Sequence, residues 1–234
     1  MKNLIFAILL LCGLNLHADL ASGFDEYNKG NYNEAAELWS KSCQDGDTDS
    51  CHNVGFMFYS GDKIEQNYLK AVKFFSDACK GGRSASCNNV GNMYSRAIGV
   101  KQDYQRAIKF YTKGCDGEEA NSCFNLGNIY LYGQVVEQHF INAKKHFTKA
   151  CNYDHLDACN KLGNMYVKED NYIESIKLFT KSCDGGFADG CHSLGLSYLK
   201  GYGVKENKIK AEQLFEKACD AGNTAACEYH KELQ

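Results

Sequence analysis

Thirteen cysteines punctuate this 234-residue chain, and all but Cys12 fall into pairs of the form Cys-x7-Cys. The pairs are Cys43/Cys51, Cys79/Cys87, Cys115/Cys123, Cys151/Cys159, Cys183/Cys191 and Cys219/Cys227. Paired thiols either ligate a metal or oxidise to a disulfide. Structural zinc sites favour cysteines two to four residues apart, closer than these, so zinc is the rival reading and disulfides the leading one. Two Ser-x-x-Lys strings, Ser60-Gly61-Asp62-Lys63 and Ser197-Tyr198-Leu199-Lys200, carry the second kind of chemistry, acylation of a serine by a β-lactam. The Ser-Asp-Asn and Lys-Thr-Gly partners of such a site occur nowhere in the chain, so no catalytic motif is visible. His52, His139, His146, His155, His192 and His230 are scattered, without His-x-His-x-Asp or His-Glu-x-x-His spacing, so neither a metal site nor a cofactor is expected.

Whether thiols oxidise depends on the compartment. Residues 1–18, MKNLIFAILLLCGLNLHA, place Lys2 before a short apolar run and end in Leu16-His17-Ala18. That is the layout of a secretory signal peptide, and the run is too short to span a bilayer. Its removal takes Cys12 away and leaves an even set, which suits an oxidising, secreted or periplasmic location. The formal net charge is −3 and falls further without Lys2, which argues against a nucleic-acid or polybasic membrane partner. No other segment could cross a bilayer, so no membrane span is expected.

The first cysteines of successive pairs lie 36, 36, 36, 32 and 36 residues apart, a period that means stacked repeats. Eight residues before each first Cys stand Ala35, Ala71, Ala107, Ala143, Ser175 and Ala211; four before it stand Trp39, Phe75, Tyr111, Phe147, Phe179 and Phe215. These make one apolar helical face. After the second Cys, Val54-Gly55-Phe58, Val90-Gly91-Tyr94, Leu126-Gly127-Tyr130, Leu162-Gly163-Tyr166 and Leu194-Gly195-Tyr198 mark a second helix with a glycine on its packed side. Glycine inside a helix costs about 1 kcal/mol relative to alanine, so its return at one position implies close helix–helix approach. The two cysteines of a pair cannot share a helix, because eight residues at helical rise span about 12 Å and a disulfide needs Cα atoms within roughly 7 Å. Turn residues such as Asp45-Gly46 and Gly81-Gly82 lie between them, so each pair closes a helical hairpin. Helical pairs are expected over 31–66, 67–102, 103–138, 139–170, 171–206 and 207–234, within one repeat array over 19–234. The stretch before Tyr32 reads as a degenerate half unit. The interval of 32 reflects four residues missing from the loop 166–172.

The phrase Leu-Gly-x-Met/Ile-Tyr followed by Gly-x-Gly-Val, fullest in KGYGVKEN (200–207), resembles the Sel-one-like repeats, relatives of the tetratricopeptide repeats. With Cys-x7-Cys in each unit behind a leader, the chain is similar to the Helicobacter cysteine-rich protein family. The resemblance implies an all-α, right-handed α-solenoid with one disulfide per repeat, exported to the periplasm or beyond. It also implies penicillin binding, weak β-lactamase activity and a role as a secreted antigen, so host proteins are among the implied partners. It supplies no catalytic residue to carry over.

Two surface stripes repeat with the units. Asn53, Asn89 and Asn125 follow the second Cys by two residues, and Asn92, Asn128 and Asn164 by five. Three apart on a helix, they are neighbours, and amides that both donate and accept suit the backbone of a bound peptide. Lysines recur on the first helices, Lys73, Lys109, Lys145 and Lys177 in one row and Lys41, Lys113, Lys149, Lys181 and Lys217 in another. They read either as a site for an acidic ligand or as solvated charges favoured by the helix dipole. The function expected is that of an exported scaffold binding a peptide, a peptidoglycan fragment or a β-lactam. The alternative is a weak β-lactam hydrolase.

Overall fold

The computed structural model of the chain describes residues 20–133 and 138–234; the expected leader, residues 1–18, lies outside them. The described residues are helical and contain no strand. A first helix, α1, covers 20–29. It is followed by α2 (Tyr32–Gln44), α3 (Thr48–Ser60), α4 (Tyr68–Lys80), α5 (Ser84–Ser95), α6 (Tyr104–Asp116) and α7 (Ala120–Tyr132). Then come α8 (Phe140–Asn152), α9 (Leu156–Lys168), α10 (Tyr172–Asp184), α11 (Ala188–Lys200), α12 (Lys208–Asp220) and α13 (Thr224–Leu233). The chain forms a repeat solenoid that divides into two compact units, Met1–Ser122 and Cys123–Gln234.

Local sequence starts eight of these helices where the repeat demands. The side chains of Asp47, Asn67, Asp103, Asn171, Asn207 and Asn223 each accept a hydrogen bond from the amide three residues on. His139 and His155 do the same through Nδ1. Each such cap contributes about 1 kcal/mol.

Disulfides Cys43–Cys51, Cys79–Cys87, Cys151–Cys159, Cys183–Cys191 and Cys219–Cys227 close the hairpins α2–α3, α4–α5, α8–α9, α10–α11 and α12–α13. Their Cα atoms are only 4.4–4.8 Å apart. Cys115 and Cys123 are disulfide-bonded as well. The Sγ atoms of Cys51, Cys87, Cys159 and Cys191 also lie 3.6, 3.8, 3.7 and 3.5 Å from the carbonyl oxygens of Cys43, Cys79, Cys151 and Cys183. A free thiol at that distance would donate a weak hydrogen bond. An oxidised sulfur has no proton to give, so these are packing contacts inside the bridge.

So close an approach leaves no room beside the bridge. The residues preceding the two cysteines of a hairpin are accordingly small: Ser42 with Ser50, Ala78 with Ser86, Ala150 with Ala158, Ala218 with Ala226. Where one is serine the other can be glycine, and any Cβ on Gly114 or Gly190 would run into Ser122 or Ser182 respectively.

Between hairpins the repeated glycine sets the spacing. A Cβ on Gly55, Gly91, Gly127, Gly163 or Gly195 would lie 2.5–2.8 Å from the ring of Phe75, Tyr111, Phe147, Phe179 or Phe215 respectively, on the following first helix. Those rings are 0–2% exposed. Gly23 of α1 lies against Trp39 in the same manner, so α1 takes the place of a second helix ahead of α2. Trp39 Nε1 donates to the Leu20 carbonyl at 3.1 Å and ties α1 down.

Candidate functional site

The second helices of the amino-terminal unit build a cleft of about 380 Å³. Its walls are Phe24 and Tyr27 of α1, Trp39 of α2, and His52, Phe56 and Met57 of α3, with Asn53 between them and Ser60, Asp62 and Lys63 at the rim. A smaller recess of about 90 Å³ adjoins it, lined by Phe56, Tyr59, Phe75, Asn89 and Asn92. Phe56 belongs to both and is 55% exposed, a large apolar ring left at the surface between two sets of amides.

The cysteines take no part in either recess. Cys51, Cys87 and Cys159 are buried within their hairpins, as are their partners Cys43, Cys79 and Cys151. Of the residues singled out by spacing, these serve the fold and present no sulfur to a ligand.

The six asparagines singled out by their spacing do not form one uniform row. Asn53, Asn89, Asn92, Asn125 and Asn128 are half-buried, and Asn164 is exposed. Asn92 is committed to packing: Tyr111 Oη donates to its Oδ1 at 2.8 Å and lies 3.0 Å from Ser95 Oγ. Burial raises the Tyr111 pKa, against a smaller lowering from the Ser95 hydrogen bond, so the phenol remains a donor. The Oδ1 of Asn128 is buried without a hydrogen-bond partner. In the carboxy-terminal unit a residue outside the spacing pattern takes part instead. Asn160 is 6% exposed, and its Oδ1 accepts from Ser193 Oγ at 2.9 Å, joining α9 to α11.

The lysine row closest to the first cysteine has a structural use. Lys113 Nζ donates to the Lys80 carbonyl at 3.2 Å, Lys181 to that of Cys151 at 2.8 Å, and Lys217 to that of Cys183 at 3.0 Å. Each reaches back one repeat to the end of the preceding first helix, where carbonyls lack intrahelical partners. In the other row Lys73 lies over the Phe74 ring and Lys177 pairs with Glu174 at 2.6 Å.

Neither Ser-x-x-Lys string forms a serine–lysine couple. Ser60 and Lys63 both border the cleft, yet Ser60 Oγ donates to the Met57 carbonyl at 3.4 Å and Lys63 Nζ lies 5.2 Å from the Tyr32 ring centroid. Ser197 is 3% exposed and donates to the Ser193 carbonyl at 2.9 Å. Among the described residues no three histidines, cysteines or carboxylates gather as a metal site.

Two histidines at one repeat position are packed rather than displayed. His52 Nδ1 is 2.8 Å from Ser86 Oγ and its ring meets Phe75; the neighbouring Asp49 pairs with Arg83. His192 packs between Phe215 and Tyr229. Burial lowers the pKa of both, reinforced at His52 by Arg83 and opposed by Asp49 and Asp189 respectively. Because the folded values fall below 6.5 and unfolded histidine titrates near 6.5, their stability contribution is complete above that pH. It is lost as the pH falls through the folded values. The urea midpoint of the protein is therefore expected to drop on acidification through this window, and His192→Phe to flatten the drop. Parallel slopes in the two proteins would remove His192 from the account.

The sequence matches the Sel1 repeat family over residues 21–47, 48–82, 84–118, 120–154, 156–187 and 188–223. No curated protein matches the chain. Among solved structures it resembles c5321, a protective antigen of uropathogenic Escherichia coli, with a TM-score of 0.85 and 25% identity over 93% of this chain. It spans 48% of that antigen's length. A Sel1 repeat protein of Oxalobacter formigenes superposes with a TM-score of 0.76, at 22% identity, over 88% of this chain and 86% of its own. Cysteine-rich protein B of Helicobacter pylori is 23% identical over 72% of this chain and 98% of its own, with a TM-score of 0.31. Among the described residues no helix is long and apolar enough to cross a membrane.

Proposed function

We propose, from the premise that this chain belongs to the Sel1 repeat family, that it is an exported, disulfide-stapled binding protein for extended peptides. The observation that carries this reading is the pair of adjoining recesses sharing Phe56 on the amino-terminal unit. A peptide backbone presents alternating donors and acceptors, and Asn53 and Asn89 can answer both. The aromatic walls bury an apolar side chain of the same peptide, in the way that ligand clefts combine apolar surface with a few fixed polar groups. Asn92 positions Tyr111 rather than ligand. Disulfides throughout the repeats, with no membrane-spanning helix among the described residues, fit an extracellular or periplasmic protein.

The test is a display library of random peptides panned on the oxidised protein. Selected peptides should share an apolar anchor, and Asn53→Ala with Asn89→Ala should weaken them at least tenfold while leaving the melting temperature within a few degrees. Unchanged affinity would remove these amides from the site. The same preparation offered a chromogenic cephalosporin should show no turnover. Hydrolysis that follows the oxidised protein and vanishes in Ser60→Ala would replace the binding reading with the enzymatic one.

A further inference from the structure

The loop between α11 and α12, with the helix ends that flank it, carries Lys200, Lys205, Lys208 and Lys210 against one acid, Glu206, in a chain whose net charge is negative. All four lysines are exposed. The corresponding loop between α3 and α4, residues 60–70, holds Asp62 and Glu65 beside Lys63 and Lys70 and is neutral. The lysine-rich loop is also built to a fixed shape. Gly201 and Gly203 take φ of +71°, Tyr202 N donates to the Ser197 carbonyl and Asn207 N to the Tyr198 carbonyl, both at 2.9 Å. A side chain at Gly203 would run into Tyr172 at the start of α10, and the Tyr172 and Tyr202 rings stack with centroids 4.9 Å apart. The stack brings the first turn of α10 beside the loop.

Apolar side chains stand among these charges. Ile209 is 72% exposed, Ile173 is 67% exposed and Tyr202 is 40% exposed. Exposed aliphatic residues, an interfacial tyrosine and a ring of lysines are the combination that seats a protein on an anionic bilayer. The hydrocarbon takes the isoleucines, the headgroup layer takes the phenol, and the lysine ammoniums meet lipid phosphates. A soluble polyanion would satisfy the lysines and gain nothing from Ile173 or Ile209. The acids facing the patch are few: Glu206 itself, Asp170, which accepts from Tyr172 Oη at 2.8 Å, and Glu174, which is held by Lys177. We propose that this edge of the carboxy-terminal unit, Ile173, Tyr202 and Ile209 with Lys200, Lys205, Lys208 and Lys210, is a docking surface for anionic phospholipid membranes. It lies on residues separate from the peptide cleft.

Flotation of the full oxidised protein with vesicles tests this. Vesicles of equal parts phosphatidylglycerol and phosphatidylcholine should carry the protein, and vesicles of phosphatidylcholine alone should not. Added sodium chloride should release it. A Lys205→Gln, Lys208→Gln, Lys210→Gln variant should bind about 100-fold more weakly, since each lysine near an anionic surface contributes about a factor of five. Ile173→Asn with Ile209→Asn should weaken binding roughly tenfold or more with the salt dependence kept. All five positions are exposed, and circular dichroism verifies that the variants fold. Failure of the parent protein to float, equal floating on neutral vesicles, or indifference to either set of substitutions overturns the proposal. Polyphosphate binding that needs the lysines, with vesicle binding unaffected by the isoleucine changes, overturns it in favour of a soluble polyanion.

Discussion

Reduction of the disulfides is expected to unfold this protein at room temperature, a larger effect than any single substitution. Each bridge joins cysteines eight apart and closes a nine-residue loop. In the chain-entropy account such a loop contributes about 2.6 kcal/mol. Over the full set of disulfide-bonded cysteines the contribution is roughly 15 kcal/mol, as large as the whole stability of an ordinary domain, about 5–15 kcal/mol. The reason such help is needed lies in the helices. Each is short, 10–13 residues from α2 onward, and isolated helices of that length are marginal in water. A repeat touches only its neighbours, so no large shared core compensates. Thermal melts followed by circular dichroism, with and without a phosphine reductant, give the answer. A reduced protein that melts within a few degrees of the oxidised one would show that the helix interfaces suffice. A paired change at the end of the array, Cys219→Ala with Cys227→Ala, should cost less than the same change at Cys183 and Cys191. Cys219 and Cys227 are only half-buried, whereas Cys183 and Cys191 are buried.

The second large effect concerns the seat between glycine and ring. Phe179 is 2% exposed and rests on Gly163. Phe179→Ala should cost about 3–5 kcal/mol through lost burial and the cavity left behind. Gly163→Ala improves helix propensity by about 1 kcal/mol, but its methyl carbon would stand 2.5 Å from the Phe179 ring. Overpacking of that kind costs about 1–3 kcal/mol, so the net change is destabilising. The two substitutions together should be less damaging than their sum, because the added methyl occupies space the ring vacated. A double-mutant cycle by urea unfolding reads the coupling directly. Additive costs would mean that the glycine is present for some reason other than the ring.

Much of this architecture was legible in the sequence because its signals repeat at one period. The Cys-x7-Cys pairs from Cys43/Cys51 to Cys183/Cys191, the alanines of the Ala35 series and the rings of the Trp39 series face the core as their spacing required. What could not be read are relations between residues that only the hairpin brings together. The burial of Cys51, Cys87 and Cys159 against the carbonyls of their own partners is one of these. The pairing of small residues across each hairpin, Ser42 with Ser50, Gly114 with Ser122 and Ser182 with Gly190, is another, and neither column alone shows it. The lysines of the Lys113 row looked like a surface stripe because their acceptors, the carbonyls of Lys80, Cys151 and Cys183, carry no side-chain signature. The asparagine spacing was visible, but not that Asn92 would be taken by Tyr111, nor that Asn160, outside the pattern, would reach Ser193. Charge summed over the chain likewise concealed the lysines gathered at 200–210, since acids elsewhere cancel them.

The backward reach of those lysines gives the array a direction in time as well as space. A hairpin can close on its own cysteines as soon as it is made, yet the open carbonyls at the end of its first helix wait for a lysine synthesised about one repeat later. The hairpins that begin with α4, α8 and α10 are thus finished by their successors, and a chain built from the amino end would mature there one step behind its own growth.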